Sequence, residues 1–138
     1  DLIRNLSGSA IALQLDMKEE ELTGTGLVGR LLDPAKDLGA PPQRFSDLAD
    51  TAGLIDGLDL VIAVDTGIAH LTGALARPVW IMLPAESDPR WYLDREDSPW
   101  YPTARLFRQA KAGDWDEVAR RMARALREPN AFARRGPG

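Results

Sequence analysis

Residues 60–71 read LVIAVDTGIAHL, and the architecture expected for the rest of the chain follows from this run. Its first five residues are apolar and mainly β-branched, which is typical of a strand buried on both faces near the centre of a parallel sheet. The residues that follow place Ile68, Leu71 and Leu75 at helical spacing, and Arg77-Pro78 ends the helical pattern. The run therefore predicts a central strand that leads through a very short turn into a helix.

The same alternation of strand and helix continues on both sides of this run. Further strands are predicted at 10–15, 28–32, 79–83 and 105–108, and further helices at 16–22, 47–58 and 115–126. Asp114, with Glu117 three residues later, is expected to cap the last helix, whose apolar stripe is Trp115, Val118, Met122 and Leu126. Strands and helices that alternate through short connections are typical of a parallel sheet covered by helices on both faces. We therefore predict an α/β fold, a Rossmann-like three-layer sandwich with a mainly parallel sheet. A single domain is expected over residues 1–128, followed by a flexible tail at 129–138.

The composition excludes several kinds of site. The chain has 138 residues, no cysteine and one histidine, His70, so it has neither a thiolate or multi-histidine metal site nor a cysteine nucleophile. A formal net charge of −4 argues against binding to nucleic acid, because contacts to phosphates dominate that affinity. No apolar run approaches the roughly 18–20 residues of a membrane span. A chain without cysteine also fits a reducing compartment, and we expect a cytoplasmic location.

The turn after the predicted central strand is the candidate ligand site. The first amide groups of a helix have no partners inside it, and with the helix dipole they attract anions. Thr66 is a favourable N-cap residue, and Gly67 has no side chain to block a ligand. Asp65 is placed to accept hydrogen bonds from sugar hydroxyls, and His70, four residues after Thr66, is placed to meet a phosphate or offset its charge. The pattern predicts a site for a phosphate-bearing ligand; the alternative is a plain helix cap beside a core histidine.

Two other segments carry suggestive patterns. Residues 24–29, GTGLVG, match the dinucleotide-binding pattern G-x-G-x-x-G, but they follow an acidic segment instead of a strand, so a dinucleotide site is not expected there. The polar loop at 84–102 is rich in aromatic residues. Such rings either stack on a base or sugar or pin a loop to the domain. We expect pinning for Trp100 and Tyr101, which lie between two prolines, and both roles are open for Trp91.

Several of these segments together resemble a known family. They are residues 50–55 (DTAGLI), 58–71 with the D-T-G-x-x-H element, 80–84 (WIMLP), 90–91 (RW), 94–102 (DREDSPWYP) and 106–109 (LFRQ). From about Phe45 to Leu126 the chain resembles the bacterial heptosyltransferase-like glycosyltransferases of family 9, and the similar domain found in some bacterial tetratricopeptide-repeat proteins. The resemblance implies a GT-B architecture, in which two Rossmann-like domains flank a cleft. This chain would be the C-terminal half, which binds the nucleoside-diphosphate-sugar donor without a metal or other cofactor.

The resemblance also implies roles for the D-T-G-x-x-H element, which borders the donor diphosphate and sugar in that family. Thr66 and Gly67 would meet phosphate through backbone amides, Asp65 would meet the sugar, and His70 would lie at the phosphate as a stabiliser of the leaving group. No other catalytic residue is assigned to this chain. Trp91 is a further candidate for donor binding.

One position departs from the family pattern. The family often carries a lysine just after a Ser-Leu-Gln strand, where it meets phosphate, whereas here Asp16 follows Leu15. Gln14 and Lys18 are therefore the candidate donor-binding residues in that region. The acid at position 16 favours a rival hypothesis, a degenerate module that keeps the fold and serves only as a binding or interaction domain.

The resulting expectation is the donor-binding half of an inverting, metal-independent glycosyltransferase. Its partners would be the nucleotide sugar and an N-terminal acceptor-binding domain or a repeat domain, and this part alone is expected to be inactive. Besides the binding module, half of a sugar-nucleotide epimerase on the same two-domain fold is an alternative. The sequence leaves the donor base, the sugar and the acceptor open.

Overall fold

The computed structural model describes residues 10–11, 31–32, 48–129 and 131. These residues belong to two compact units, residues 1–51 and 52–138. In the first unit, β1 (Ala10–Ile11) and β2 (Leu31–Leu32) pair in parallel. Both strands fall within segments predicted as strands. The single domain over 1–128 stays a prediction.

Several predictions of the sequence analysis lie outside the described residues. They are the helix at 16–22, the GTGLVG segment at 24–29, the candidate residues Gln14 and Lys18, and most of the tail at 129–138.

The second unit contains a parallel sheet that confirms the predicted fold class. Its strands are β3 (Val61–Val64), β4 (Val79–Leu83) and β5 (Ala104–Arg108), in that spatial order. Val61 lies opposite Val79, and Val79 lies opposite Ala104. With its flanking helices, this sheet forms an α/β, Rossmann-like arrangement.

Among these three strands the middle place belongs to β4, not to the segment predicted to be central. Four of the five residues of β4 are buried, whereas β3 becomes steadily more exposed toward Val64, which is 44% exposed. An apolar run indicates that a strand is buried, but it does not reveal which strands pair with it. The sequence therefore could not show whether β3 or β4 lies between two others.

Three helices accompany the strands. Helix α1 (Leu48–Asp56) precedes β3, and its Ile55 is fully buried. Helix α2 (Gly67–Ala74) connects β3 to β4 and contacts both, and α3 (Trp115–Leu126) contacts β5. None of the helices in the described part of the chain combines the length and apolar character needed to cross a membrane.

The buried face of α2 is made of small residues, contrary to the stripe expected from sequence. Ala69, Thr72 and Gly73 are buried, whereas Leu75 is 38% exposed. Gly73 lies directly against the ring of Tyr101, and a Cβ atom at this position would overlap that ring. Small side chains let the helix approach its neighbours closely, so helical spacing of the larger residues points to the wrong face.

The last helix follows its sequence pattern more closely. The Asp114 side chain accepts a hydrogen bond from the Glu117 amide at 3.1 Å, which caps α3 as predicted. Val118, Met122 and Ala125 form the buried face. Trp115, in the first turn, is 42% exposed.

The loop between β4 and β5 is held by an arginine at the end of β5. It contains a short 3-10 helix at Pro89–Trp91. The Arg108 guanidinium donates to the hydroxyl of Ser87 at 3.1 Å, to the carbonyl of Leu93 at 2.7 Å and to the carbonyl of Tyr92. Tyr92 has a positive φ of 55°, a conformation that non-glycine residues seldom adopt. Five donors in a fixed fork suit a guanidinium to binding several carbonyls of one turn.

The outer edge of β5 also carries chain contacts. The Leu106 amide donates to the carbonyl of Glu96 at 2.6 Å, and the Ala104 amide donates to the carbonyl of Tyr101 at 3.0 Å. Further along, the Arg121 guanidinium donates to the carbonyl of Arg108. The loop and α3 thus occupy backbone groups that an edge strand would otherwise present to solvent.

The contact between Gly73 and Tyr101 predicts opposite outcomes at two glycines of α2. Gly73→Ala should lower the free energy of unfolding by about 1–3 kcal/mol, because the added methyl group displaces the Tyr101 ring. Gly67→Ala should leave it unchanged or slightly raised, because a Cβ atom there meets nothing within 4 Å. Chemical denaturation of both variants measures the difference. Equal stability of the two variants would show that the ring can move aside.

Candidate functional site

The turn between β3 and α2 is open. Asp65, Thr66 and Gly67 are all exposed. The first helical hydrogen bond runs from the His70 amide to the carbonyl of Thr66 at 3.2 Å, so the three amides before it have no partner within the helix. Unpartnered amides at an exposed helix start are suited to binding an anion.

Thr66 occupies the N-cap position without capping the helix through its side chain. Its backbone is extended (φ −138°, ψ 170°), and no side-chain cap bond forms. The hydroxyl instead donates back to the carbonyl of Val64 at 3.2 Å. The side chain therefore leaves the amides of the first turn available.

The carboxylate of Asp65 ties the turn to two other parts of the chain. Its Oδ1 lies 2.9 Å from His70 Nε2, and its Oδ2 accepts a hydrogen bond from Trp91 Nε1 at 2.9 Å. Because an ionised carboxylate can only accept, Nε2 carries the hydrogen and donates it. The side chains of Asp65 and His70 are 30% and 29% exposed, so both border the open turn.

The imidazole of His70 uses its second nitrogen as well. Nδ1 lies 2.8 Å from the hydroxyl of Tyr101. With the hydrogen on Nε2, the neutral ring accepts at Nδ1 from that hydroxyl. The ring also stacks on Trp91, with centroids 5.5 Å apart, and meets Tyr101 edge-on at 5.6 Å. His70 is therefore fixed in position and tautomer by three neighbours.

The guanidinium of Arg90 lies beside His70. Arg90 Nη1 lies 3.4 Å from His70 Nε2, and Arg90 Nε lies 3.1 Å from Asp88 Oδ1. Hydrogen bonds from the Arg90 side chain and amide hold the pKa of Asp88 below its usual value, and the same pairing raises the pKa of Arg90. Both side chains are nearly half exposed, so this ion pair adds little to stability.

The structure answers the question left open for the aromatic loop. Trp91 is fully buried, so its ring has no free face for a base, and it reaches the site only through Nε1. Tyr101 is half-buried against Gly73, as expected for a residue that pins the loop. Trp100 is 62% exposed, although its Nε1 donates to the carbonyl of Arg90 at 3.1 Å.

Of the candidate residues taken from the sequence, Asp65, Thr66, Gly67, His70 and Trp91 come together at this turn. Gln14 and Lys18 are not among the described residues.

Arg90 and Tyr101 border the same site and were missed as site residues. Their segments lie between β4 and β5, and loops that follow parallel strands gather at the ligand-binding edge of such sheets. That topological signal could have marked both.

The site is an exposed edge, not an enclosed pocket. Two cavities of about 300 and 180 Å³ lie elsewhere, beside β5 and α3, where Glu96 and Arg121 line both. Among the described residues no group of three acidic or histidine side chains is arranged to hold a metal ion. This part of the chain would therefore cover only one side of a ligand at the turn.

Comparison with known proteins assigns the region that contains this site to a protein family. The family model of glycosyltransferase family 9 (heptosyltransferase) matches residues 44–124. Protein FlbA of Caulobacter vibrioides is 37% identical over 83 residues, which are 60% of this chain and 14% of FlbA. The large ribosomal subunit protein uL10 of Synechococcus elongatus, and that of a second Synechococcus strain, are 39% identical over 84 residues, 56% of this chain and 47% of each relative. The chain thus spans less than half the length of these relatives. No solved structure matches it.

The hydrogen bond between Tyr101 and His70 can be tested because the chain has one histidine and two tyrosines. Tyr101→Phe keeps the ring and removes only the hydroxyl. We expect the nitrogen NMR signal of Nδ1 to shift and the free energy of unfolding to fall by about 1 kcal/mol. Tyr92→Phe is the matched control, since Tyr92 is 48% exposed and lies outside the network. An unchanged histidine spectrum in Tyr101→Phe would contradict the assignment.

Proposed function

The chain belongs to glycosyltransferase family 9 (heptosyltransferase), and on that premise we propose that it is the donor-binding half of an inverting, metal-independent glycosyltransferase. Its ligand is the nucleoside-diphosphate end of a sugar donor, and it needs no other cofactor. A second domain of the longer protein, absent from this chain, supplies the acceptor site and the general base. By itself the chain has no transferase activity; it forms one half of a GT-B fold in a longer protein that acts in the cytoplasm.

The observation that carries this proposal is the exposed turn at Asp65 to Gly67, with unpartnered amides at the start of α2. Backbone amides and a helix dipole bind phosphate without a metal ion. Within the described residues the turn lies at the carboxyl end of a parallel strand, where α/β sheets bind their ligands.

The proposed chemistry is a displacement at the anomeric carbon of the sugar. A bond forms between the acceptor oxygen and that carbon, and the bond from that carbon to the diphosphate oxygen breaks. The diphosphate departs with the electron pair, and the proton of the acceptor hydroxyl passes to the base on the second domain. Negative charge grows on the leaving oxygen, so fixed amide donors at the turn stabilise the transition state more than the bound donor.

Asp65 contributes a fixed acceptor for the sugar. Each of its carboxylate oxygens already holds one hydrogen bond, and each retains a lone pair for another donor. Because the carboxylate is held at both oxygens, it loses little freedom when a sugar hydroxyl binds, which favours affinity.

One observation favours a second candidate, a module that binds a partner and catalyses nothing. The polar groups of Asp65, His70, Tyr101 and Trp91 already satisfy one another without a ligand. A network of this kind stabilises a fold on its own account. Nucleotide binding separates the two candidates.

The donor-site proposal predicts that nucleoside diphosphates stabilise this chain. Thermal unfolding with millimolar ADP, GDP, UDP and CDP, each tested alone, should show a raised Tm for at least one of them, because a ligand bound only to the folded state adds stability by mass action. A ligand at 100 times its Kd adds about 2.7 kcal/mol.

Two valine substitutions locate the binding. Gly67→Val should abolish the shift while leaving the unliganded Tm nearly unchanged, because a side chain there enters the open turn without meeting the protein. Gly53→Val, at another glycine with open surroundings, should keep the shift. No shift with any of the four nucleotides, or a normal shift in Gly67→Val, would count against the donor site.

A further inference from the structure

We propose that Arg90, and not His70, is the side chain that contacts the phosphate groups of the ligand, and that His70 is a positioning residue for Asp65. This inference rests on the proposed function, since it concerns the same site. It reassigns the charged contact to a residue that the sequence analysis did not name as a site residue.

The hydrogen bonds of His70 leave it no group for a phosphate. Nε2 donates to the Asp65 carboxylate at 2.9 Å, and Nδ1 is held by the Tyr101 hydroxyl at 2.8 Å. Stacking on Trp91 keeps the ring from rotating away. A phosphate could accept the Nε2 hydrogen only by displacing the Asp65 carboxylate from His70. The carboxylate that accepts from the buried Trp91 N–H would then no longer be held by His70. The role that remains for His70 is to fix Asp65.

The guanidinium of Arg90 is in the opposite situation. In the described part of the chain, the polar contact of Nη1 is with His70 Nε2 at 3.4 Å. Because Nε2 already carries a hydrogen for Asp65, it cannot accept one from Nη1. Nη1 therefore points a donor at a group that does not accept it. Because the side chain is half exposed, solvent meets this donor, and a phosphate oxygen entering the turn would take the place of solvent as its acceptor.

The backbone around Arg90 is held firmly enough to present this donor. The Asp88 carboxylate accepts from the Arg90 amide at 3.0 Å, and the next residue, Trp91, is fully buried. The carbonyl of Arg90 accepts from Trp100 Nε1 at 3.1 Å. The guanidinium itself is half exposed and therefore accessible to an anion.

The Asp88 carboxylate binds two nitrogens of the Arg90 guanidinium that a ligand could otherwise bind. Its two oxygens lie 3.1 Å from Arg90 Nε and 3.3 Å from Nη2. Two carboxylates, Asp65 and Asp88, thus face one guanidinium, and their charge opposes an incoming anion. A diphosphate must compete with Asp88 for the same two-donor edge, which guanidinium offers to carboxylates and phosphates alike. Removal of that carboxylate should therefore strengthen anion binding.

A matched pair of arginines in one loop tests the assignment. Arg95 pairs with Asp97 two residues away, as Arg90 pairs with Asp88, and their side chains are 42% and 49% exposed. Calorimetric titration of the full chain would use inorganic pyrophosphate, and whichever nucleoside diphosphate raises the Tm of the wild type. We expect Arg90→Gln to weaken binding at least about tenfold, since a charge-assisted contact is lost. Arg95→Gln should stay within about twofold of the wild type, as expected for a screened charge remote from the ligand.

Two further measurements complete the test. Asp88→Asn should tighten binding several-fold, because it removes one negative charge that repels the anion. The nitrogen NMR signals of His70 should keep the neutral Nε2–H pattern when the ligand is added. Unchanged affinity in Arg90→Gln, weaker binding in Asp88→Asn, or a ligand-induced change of the His70 tautomer or protonation would each overturn the inference while the donor site stood. Failure of the wild type to bind any of these anions would instead overturn the proposed function.

Discussion

The described part of the molecule is organised around a single requirement, an acceptor for the buried N–H group of Trp91. An indole ring that is fully buried must place its N–H against an oxygen, because an unmet donor in the interior is costly. Asp65, at the exposed end of β3, supplies that oxygen across 26 residues of sequence. Its second oxygen holds His70 on α2. One carboxylate thus joins a strand end, a helix and the long loop, and any ligand at this edge meets groups that are already fixed.

The supports behind this carboxylate come from different kinds of interaction. Gly73 lets the ring of Tyr101 approach α2 closely enough for its hydroxyl to reach His70. Arg108 binds the side chain of Ser87 and carbonyls near Trp91, which fixes the loop from the far side. Sites whose donors are placed before the ligand arrives lose less free energy on binding. The side chains around the turn are therefore held in place before a ligand binds, as the proposed donor site requires.

The strands, the last helix and the turn at residues 65–67 could be predicted from the sequence because each depends on neighbours in the chain. The apolar runs at 60–64 and 79–83 indicate strands, and Asp114 indicates the start of α3, through local chemistry alone. The network could not be predicted in the same way. His70 and Tyr101 are 31 residues apart, and spacing carries no information about which loop returns to which helix. The buried face of α2 was predicted wrongly for a related reason. One of its small residues, Gly73, is buried against a distant residue, Tyr101, and the sequence does not show that contact.

The contacts along β5 have a consequence for behaviour at high concentration. A bare strand at the side of a sheet invites a strand from another molecule, and this is a common route to fibrils. Here the carbonyls of Glu96 and Tyr101 take up amides of that strand, and Arg121 takes up the carbonyl of Arg108. Fewer backbone groups on the outer side of β5 are therefore available to pair with a strand of another molecule.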